Sequence, residues 1–352
     1  MSEPAKIYIA NVGMISPVGF DAASTAAVRA GMSGYETTGF YLDEDDYIRM
    51  ARVPQEALIN SLPKAIDPEE FTARQIRLLQ LATLALGQLQ PTLPQDMKLP
   101  LFISGPEQLI DGDRPIDTGF LEMLTRQTGT NLDIASSRII STGRAGGLAA
   151  IKLAFRLFAS SDQNYVIIGG VDTFYDGQIL QILLRDERLL AGGNMDGFVP
   201  GEGAAFILLS KSQIPLSHNS HRVVTLYEPG LASETGHRSS SEPYRGDGLA
   251  AAMATALDNA KTSKIKTLYS SMNGEHFFAK EHGVAMLRNS KMLEENMKIE
   301  HPADCFGDLG AAFGPVVTGL SGVHLLNNSS ASPCIVCCSS DKEPRSAMVM
   351  HA

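Results

Sequence analysis

Residues Ile140 to Phe158 combine a polar turn with an apolar helix and place a charged side chain where a reactive one is expected. The turn, Ser141-Thr142-Gly143, precedes a stretch that is apolar nearly all round, which predicts a buried helix. The first N–H groups of such a helix are free and its dipole is positive there, so a thiolate or an oxyanion is stabilised at this point. Arg144 occupies it, and a cation gains nothing from this environment.

This segment resembles the nucleophile turn of the β-ketoacyl-acyl carrier protein synthases, condensing enzymes of the thiolase-like superfamily with a pattern close to S-T-A-C-A-T-G-A-H-x-I. Arg144 falls on the family's cysteine, and a shift of one residue puts Gly143 there instead. The segments 6–19 and 30–34 resemble the family's opening strand and its A-G-x-S-G turn, and Asp196 to Ala205 is similar to its D-G-F-V-x-G-E-G-A-G motif. Each glycine pattern is weak evidence alone, but their shared order and spacing indicate the family.

The two histidines of this family also have other residues in their places. The H-G-T-x-T-P segment is matched by residues 271–277, where Asn273 replaces the histidine that polarises the thioester carbonyl. The G-H-x-x-G-A-A-G segment is matched by residues 307–314, where Gly307 falls on the histidine and a slip of one residue puts Asp308 there. The resemblance therefore supplies no neutral imidazole at either position.

A further departure lies near the C-terminus, where the family has a glycine-rich loop that gates the acyl pocket. Here the chain has Ser339 to Arg345, a charged turn that we expect to face water. General acid–base help contributes about 10²- to 10⁴-fold and an oxyanion donor about 10²- to 10³-fold, while covalent catalysis needs the nucleophile itself. Four departures together predict a pseudoenzyme with no catalytic residues, in which Arg144, Asn273, Gly307 and Asp308 are degenerate positions.

A buried guanidinium beside a positive helix end is unfavourable unless an anion compensates it. By the family alignment, Asp308 or Glu275 approaches the pocket of Arg144, so the sequence predicts an ion pair between Arg144 and one of these carboxylates. The alternative is that Arg144 reaches solvent while its stem packs on neighbouring residues.

The order of elements predicts an α/β protein with two halves, and the resemblance implies the thiolase-like fold, two duplicated α-β-α halves forming a layered α/β/α/β/α architecture. Strands without a polar face indicate sheets covered on both sides. The predicted strands of the first half are 7–12, 99–104, 165–171 and 204–209, and its helices are 22–31, 72–89, 119–128 and 145–158. The linker 213–222 separates the N-terminal half, 1–215, from the C-terminal half, 216–352.

In the second half we predict strands at 223–228, 265–271, 334–338 and 347–350, and helices at 248–260, 276–297 and 309–326. Three of the four cysteines lie on one of these strands, where Cys334 and Cys338 face one side and Cys337 the other. That geometry suits neither a disulfide nor a zinc site, so we expect Cys305 and these three to be reduced thiols in the core.

Composition limits the classes of partner. The 352 residues are 44% hydrophobic and 19% charged, enough for a large core, and the formal charge of −10 disfavours nucleic acid and anionic membranes. No stretch is apolar enough for a membrane span and no signal segment is visible, so we expect a cytoplasmic protein. We expect no cofactor and no metal. By family analogy it is a homo- or heterodimer formed across residues 165–171, a run that suits either a central strand or a dimer edge.

Two classes of function follow. The first is a catalytically inactive homologue that acts as a binding partner, scaffold, adaptor or chaperone; its partner is a ketosynthase subunit, as for chain-length factors, or a client such as a secreted effector. The alternative is an enzyme acting on acyl thioesters, such as an acyltransferase or a malonyl decarboxylase. Family members that decarboxylate without the cysteine usually keep the histidines and the gating loop, which favours the first class.

Overall fold

The computed structural model describes residues 3–43, 46–67, 70–94, 97–110, 112–191, 193–216 and 222–352. The strands of the first half are β1 Lys6–Ser16, β2 Gly19–Phe20, β3 Tyr35–Asp43, β4 Asp46–Ala51, β5 Leu101–Ser104, β6 Arg138–Ile140, β7 Tyr165–Thr173 and β8 Glu202–Ser210. Its helices are α1 Asp21–Ala30, α2 Gln55–Leu58, α3 Ala73–Gly87, α4 Thr118–Thr128, α5 Gly146–Ser160 and α6 Gly177–Arg185.

The second half supplies the remaining elements. Its strands are β9 Thr225–Tyr227, β10 Gly230–Ser233, β11 Ile265–Ser270, β12 Leu293–Glu300, β13 Cys334–Ser339 and β14 Pro344–His351. Its helices are α7 Asp247–Ala260, α8 His276–Arg288, α9 Ala303–Phe306 and α10 Phe313–Asn327. No helix among the described residues is both long and apolar enough to cross a membrane.

The two halves repeat one strand arrangement. In the first half the order is β6-β5-β7-β8-β1, with β5 parallel to β6 and β7 and the other pairs antiparallel. In the second half the order is β12-β11-β13-β14-β9, again with the first two pairs parallel and the other two antiparallel. Strands β1 and β9 pair antiparallel and join the two sets. The duplication is therefore visible in topology although the sequence contains no close repeat.

Helices cover each set of strands on both sides. Helices α3 and α4 pack on the outer face of the first set, and α7 and α8 pack on the outer face of the second. Helices α5 and α10 lie between the two sets, in a core to which strands of both halves contribute. The order of layers is α/β/α/β/α, as predicted. Because strands β7 and β8 are covered on both faces, they are almost continuously apolar.

Alternation along β13 places the cysteines as predicted. Cys334 and Cys338 lie in the central core with α5 and α10, while Cys337 lies in the outer core with α7. All four cysteines are free and buried. Burial raises the pKa of Cys334 and of Cys338 to about 12, so these thiols stay protonated at neutral pH.

Some sequence predictions of elements are wrong. The helix predicted over 276–297 ends at Arg288, and Leu293–Glu300 instead forms β12, which pairs with β11 at the edge of the sheet. Parallel pairing overrides the local helical preference there. The hairpin β3–β4 and helix α6 were not predicted. Strand β7 lies between β5 and β8, so the central-strand alternative is confirmed and the dimer-edge alternative is wrong; the outermost strands of the described sheet are β6 and β12.

The connection between the halves runs from the end of β8 at Ser210 to the start of β9 at Thr225. Part of the predicted linker, 217–221, lies outside the described residues. The boundary between 215 and 216 therefore stays a prediction.

The crossing of α5 and α10 depends on glycine, which gives the first testable prediction. A Cβ at Gly147 would lie 2.3 Å from Pro315 Cδ in a rigid ring, so Gly147→Ala must push the two central helices apart. We expect the free energy of unfolding, measured by urea denaturation, to fall by about 1–3 kcal/mol.

Gly87→Ala is the matched control, because Gly87 ends α3 and a Cβ there meets nothing within 4 Å. We expect this control to leave stability unchanged or to raise it by about 0.5–1 kcal/mol. Equal effects of the two variants would contradict the close helix crossing.

Candidate functional site

Two short 3₁₀ turns lead into the two central helices and position the predicted site. Gly143–Ala145 precedes α5 and carries Arg144; Gly310–Ala312 precedes α10 and begins two positions after Asp308. Gly143 has a left-handed φ of 62°, and a Cβ there would lie 2.7 Å from Glu107 Oε2, which accounts for glycine at this position. The turns bring Arg144 and Asp308 together across the two halves of the chain.

The predicted ion pair of Arg144 with Asp308 is confirmed, and the alternative of a solvent-exposed Arg144 is wrong. Arg144 is 3% exposed; its Nε donates to Asp308 Oδ1 at 2.9 Å and Oδ2 at 3.0 Å, and its Nη2 also pairs with Asp308. Nη1 donates to Asp341 Oδ1 at 2.8 Å. Burial by itself lowers the pKa of Arg144, but the charges of Asp308 and Asp341 raise it well above its ordinary value.

Glu275, the other predicted partner of Arg144, pairs with different arginines. Arg188 donates to it from Nε at 3.0 Å and from Nη2 at 2.7 Å, and Arg238 Nε donates to Glu275 Oε1 at 2.9 Å. The sequence therefore placed Glu275 correctly near the pocket but assigned it the wrong cation. Arg188 and Arg238 carry no motif that would have indicated this role.

These contacts close into a ring of side chains. Arg188 donates to Asp341 at 2.5 Å and 3.1 Å, and the amide nitrogen of Asn273 lies 3.0 Å from Glu275 Oε2 and 2.8 Å from Asp308 Oδ2. We call this set the ion ring; its members in order are Arg144, Asp341, Arg188, Glu275, Asn273 and Asp308. With Arg238 included, three guanidinium groups face three carboxylates, so the buried charge is balanced.

The ion ring joins the two halves by charge complementarity. Arg144 and Arg188 come from the first half, whereas all three carboxylates of the ring come from the second. Phenyl rings cover both guanidinium groups: the Arg144 Cζ lies 5.0 Å from the centroid of Phe278, and the Arg188 Cζ lies 5.1 Å from that of Phe198. Each guanidinium is thus held by two carboxylates and an aromatic face.

The turn at Ser339–Arg345 was predicted to face water, but only Lys342 and Glu343 are exposed, whereas Ser339, Ser340 and Arg345 are buried, so that prediction is wrong for most of the turn. Asp341 is a member of the ion ring, where burial opposes ionisation but Arg188 and Arg144 hold its pKa well below the ordinary value. Arg345 is 1% exposed and its Nε donates to Glu281 Oε1 at 2.7 Å. Each charged side chain in this segment contacts a residue that is distant in sequence. Composition alone does not indicate such contacts.

Glu107, in the first half of the chain, holds the same turn in place by hydrogen bonds. Its carboxylate accepts hydrogen bonds from the backbone N–H groups of Asp341 and Lys342, both at 2.9 Å. Burial, followed by the charge of Asp341, raises the pKa of Glu107 to about 7. Sequence reasoning missed this residue because its partners are backbone groups more than 230 positions away.

Two further buried ion pairs support the site. Asp172 lies 3.4 Å from Arg74 Nη2 and accepts a hydrogen bond from Ala311 N at 2.8 Å; burial raises its pKa to about 6. Glu202, which is fully buried, pairs with Arg77 at 2.6 Å from both Nε and Nη2. Glu202 belongs to the glycine motif that carries the resemblance, so a sequence signal for it existed. Asp172 had none.

The space beside Arg144 is nearly filled. A cavity of about 20 Å³ remains, lined by Arg144, Glu107, Asp172, Phe174, Gly310 and Asp341 among others. A cavity needs about 10–15 Å³ to hold one water molecule. The described conformation therefore has room for a water beside the guanidinium and none for an acyl chain.

The other predicted positions also lie at this place. Asn273 is 8% exposed and its side chain is part of the ion ring. Gly307 has a φ of 66° and packs its backbone against Val199, where a Cβ would lie 2.7 Å from the carbonyl oxygen. The structure thus brings Arg144, Asn273, Gly307 and Asp308 together. Among the described residues, no group of three or more His, Cys, Asp or Glu side chains is arranged to hold a metal ion.

Comparison with known proteins agrees with the motifs. Residues 134–213 match the family model described as the N-terminal domain of beta-ketoacyl synthases. A Schizosaccharomyces pombe protein described as a mitochondrial 3-oxoacyl-acyl-carrier-protein synthase is 28% identical over 148 residues. That match covers 38% of this chain and 34% of the relative, so it spans about a third of the relative's length.

Solved structures of similar fold cover the whole chain. The ishigamide ketosynthase/chain length factor has a TM-score of 0.76 at 15% identity and covers 99% of this chain and 100% of its own. A ketosynthase in complex with its chain length factor from Xenorhabdus doucetiae has a TM-score of 0.72 at 17% identity, with both chains fully covered. The ketosynthase from module 6 of the Bacillus subtilis bacillaene synthase has a TM-score of 0.75 at 12% identity and covers 98% of this chain and 72% of its own.

These findings confirm two predictions. The thiolase-like fold is that of the ketosynthases over the length of the described chain. The resemblance to the β-ketoacyl synthase family is confirmed, and the family match includes the strand, turn and helix around Arg144.

The ion ring makes a prediction about stability. Asp308→Asn keeps the size of the side chain but leaves three guanidinium groups, those of the ring and of Arg238, facing two carboxylates, so one positive charge is uncompensated. We expect the free energy of unfolding to fall by about 3 kcal/mol in urea denaturation. Glu36→Gln is the matched control, since it breaks a half-exposed ion pair with Arg52 at 2.7 Å and should cost at most about 1 kcal/mol. Similar decreases in the free energy of unfolding of both variants would show that the ion ring stabilises the fold no more than a surface ion pair does.

The raised pKa of Glu107 gives a pH dependence with a definite sign. Between pH 4.5, the ordinary pKa, and about pH 7, the folded protein keeps a proton that the unfolded chain has released. The contribution of Glu107 to the free energy of unfolding therefore falls as the pH rises through this window. In Glu107→Gln this contribution is absent, so the stability of the variant relative to the native chain should rise by about 2 kcal/mol across the window.

Urea denaturation at several pH values in this window measures the difference. Glu36→Gln serves again as the control for loss of a carboxylate at the surface. A difference between Glu107→Gln and the native chain that stays constant with pH would show that Glu107 is ionised throughout.

Proposed function

We propose that this relative of the β-ketoacyl synthases is catalytically inactive and acts as a protein-binding partner, scaffold, adaptor or chaperone. The observation that carries the proposal is the ion ring. At the position that the family alignment gives to the nucleophilic cysteine, the guanidinium of Arg144 is buried and bound to two carboxylates. A group so held has no lone pair to attack a thioester, and its raised pKa keeps it protonated.

The residues at the histidine positions are likewise held by hydrogen bonds within the ion ring. The amide of Asn273 cannot accept and return a proton as an imidazole does, and its nitrogen donates to Glu275 and Asp308. Asp308 accepts hydrogen bonds from Arg144, from Asn273 and from the backbone N–H of Gly310 at 2.9 Å. Neither group is available to polarise a carbonyl. Arg144, Asn273, Gly307 and Asp308 are in this proposal degenerate positions with structural roles.

The same contacts suit a scaffold. The ion ring fixes segments around residues 144, 188, 273–275, 308 and 341, and Glu107 adds the segment before α4. A rigid framework loses little conformational entropy when it binds another protein, so more of the contact energy appears as affinity. The near absence of space beside Arg144 also favours a role that needs no acyl chain.

The comparisons support a proposal for the kind of partner. Two of the similar structures are ketosynthases with a chain length factor, which supports a ketosynthase subunit as partner; an unrelated client, such as a secreted effector, is the other possibility. We propose a homo- or heterodimer in the cytoplasm, formed without residues 165–171 because β7 is internal. The two halves, 1–215 and 216–352, act in this proposal as one unit.

Turnover assays test the proposal directly. We expect mass spectrometry to detect no acyl transfer, condensation or decarboxylation when the purified protein is incubated with malonyl- and acyl-carrier protein or coenzyme A thioesters. Arg144→Cys should also yield no condensation product, because Asn273 and Asp308 still supply no imidazole, a loss of about 10²- to 10⁴-fold per general acid–base group.

The opposite outcome supports the alternative function. Decarboxylation or acyl transfer by the native chain, abolished by Asn273→Ala or Asp308→Ala and retained by Glu36→Gln, would identify an acyltransferase or malonyl decarboxylase. Affinity purification of the intact protein, followed by identification of a stoichiometric partner, tests the binding role separately.

A further inference from the structure

The hairpin β3–β4 has one face buried in the protein and one face with exposed side chains, among them Tyr41 and Tyr47. Ile48 and Met50 alternate inward and pack with Phe174 and Phe198 in a separate apolar cluster. Tyr47 and Arg49 point to the opposite, outward face. Tyr41 is paired with Tyr47 across the two strands, and the centroids of their rings are 4.8 Å apart. Alternation along the strand thus supplies an aromatic surface whose back is anchored in the core.

A loop beside the hairpin completes a groove. We call it the aromatic groove; it has a volume of about 440 Å³ and its lining includes Tyr35, Tyr47, Arg49, Leu190, Met195 and Val199. Leu190 is 41% exposed and Met195 is 82% exposed, so together with Tyr47 they form a patch of apolar surface that faces solvent. Tyr35 is fixed in position, since its hydroxyl donates to the carbonyl oxygen of Ala303 at 2.6 Å.

The loop is held in place although its apolar side chains face solvent. The side-chain amide of Asn194 donates to the carbonyl oxygens of Glu187 at 2.7 Å and Leu189 at 3.0 Å. Leu190 N donates to Phe198 O at 2.9 Å, which closes the base of the loop. Arg188, at the same base, belongs to the ion ring. The exposed residues are therefore preorganised, which lowers the entropy lost when a partner binds.

The groove has the composition of a binding surface. Tyrosine, arginine and methionine are enriched at protein interfaces, and tyrosine and arginine dominate binding hot spots. Among the side chains that the structure describes, Arg49 is the one charged residue of the lining, and no carboxylate of this described set pairs with it. A partner that carries a carboxylate complements this charge.

We propose that the aromatic groove binds a segment of a partner protein in which large apolar side chains adjoin an aspartate or a glutamate. The apolar side chains fill the space between Tyr47 and Met195, and the carboxylate pairs with Arg49. This inference rests on the protein-binding role proposed above and adds the surface and the chemistry of recognition. A second copy of this chain is disfavoured, because a symmetric contact centred on the groove brings two Arg49 guanidinium groups together.

A displayed library of random dodecapeptides, selected on the immobilised full chain, tests the proposal. We expect the enriched peptides to combine Leu, Met, Phe or Trp with a nearby Asp or Glu. Leu190→Asp and Met195→Asp should each weaken binding of the enriched peptides at least about tenfold. Arg49→Glu should shift selection from acidic to basic peptides, an exchange that a misfolded variant cannot produce.

Leu287→Asp is the matched control, because Leu287 is 75% exposed on α8 and does not line the groove. It should bind the enriched peptides as the native chain does. Failure to enrich any peptide, or equal binding by the Leu190→Asp, Met195→Asp and Leu287→Asp variants, would overturn the proposal. A dimer in light scattering that Leu190→Asp dissociates would show that the occupant is a second copy instead.

These results are distinguishable from failure of the proposed function. A chain that turns over thioesters contradicts the inactive role whatever the peptides show. If the chain shows no turnover and captures a stoichiometric partner, and Leu190→Asp does not weaken this binding, the binding role stands but the partner binds at another surface.

Discussion

Burial of the Arg144 guanidinium is the constraint on which the rest of this site depends. A charge with 3% exposure is tolerated only where carboxylates replace the lost water, and here they come from Asp308 and Asp341. Those carboxylates need further donors, which Asn273 and Arg188 provide, and Arg188 in turn requires Glu275. One buried cation thus specifies a closed set of side chains.

The ring also explains how the two halves hold together at this point. Its arginines lie in the first half and its carboxylates lie in the second: Asp308 precedes the central helix α10, Glu275 precedes α8, and Asp341 lies in the turn between β13 and β14. The backbone provides the geometry, since both central helices start with a glycine-containing 3₁₀ turn. The symmetry of the duplicated fold therefore places positive and negative side chains face to face at its centre.

The start of α5 is a position suited to an anion, yet it accommodates a cation. Helix N-termini favour negative charge, so Arg144 gains nothing from the start of α5 and relies on side chains instead. The surrounding residues pack closely around this cation: the cavity beside it is about 20 Å³, and the turn that precedes β14 is bonded to Glu107. Arg188, a member of the ion ring, lies two positions before Leu190, which lines the aromatic groove.

The sequence by itself determined the family resemblance and, through it, the layered α/β architecture, together with the buried thiols of β13 and the expectation that a buried Arg144 pairs with Asp308 or Glu275. These follow from local patterns, such as apolar runs with no polar face and glycine motifs in a fixed order, and from the cost of burying a charge alone. It misassigned Glu275, the turn at Ser339–Arg345 and the strand Leu293–Glu300. Only the tertiary structure decided the partners of Arg188, Glu107 and Asp341 and the exposure of Met195. These features depend on which segments meet in space, and the separation of two residues along the chain does not indicate whether they meet.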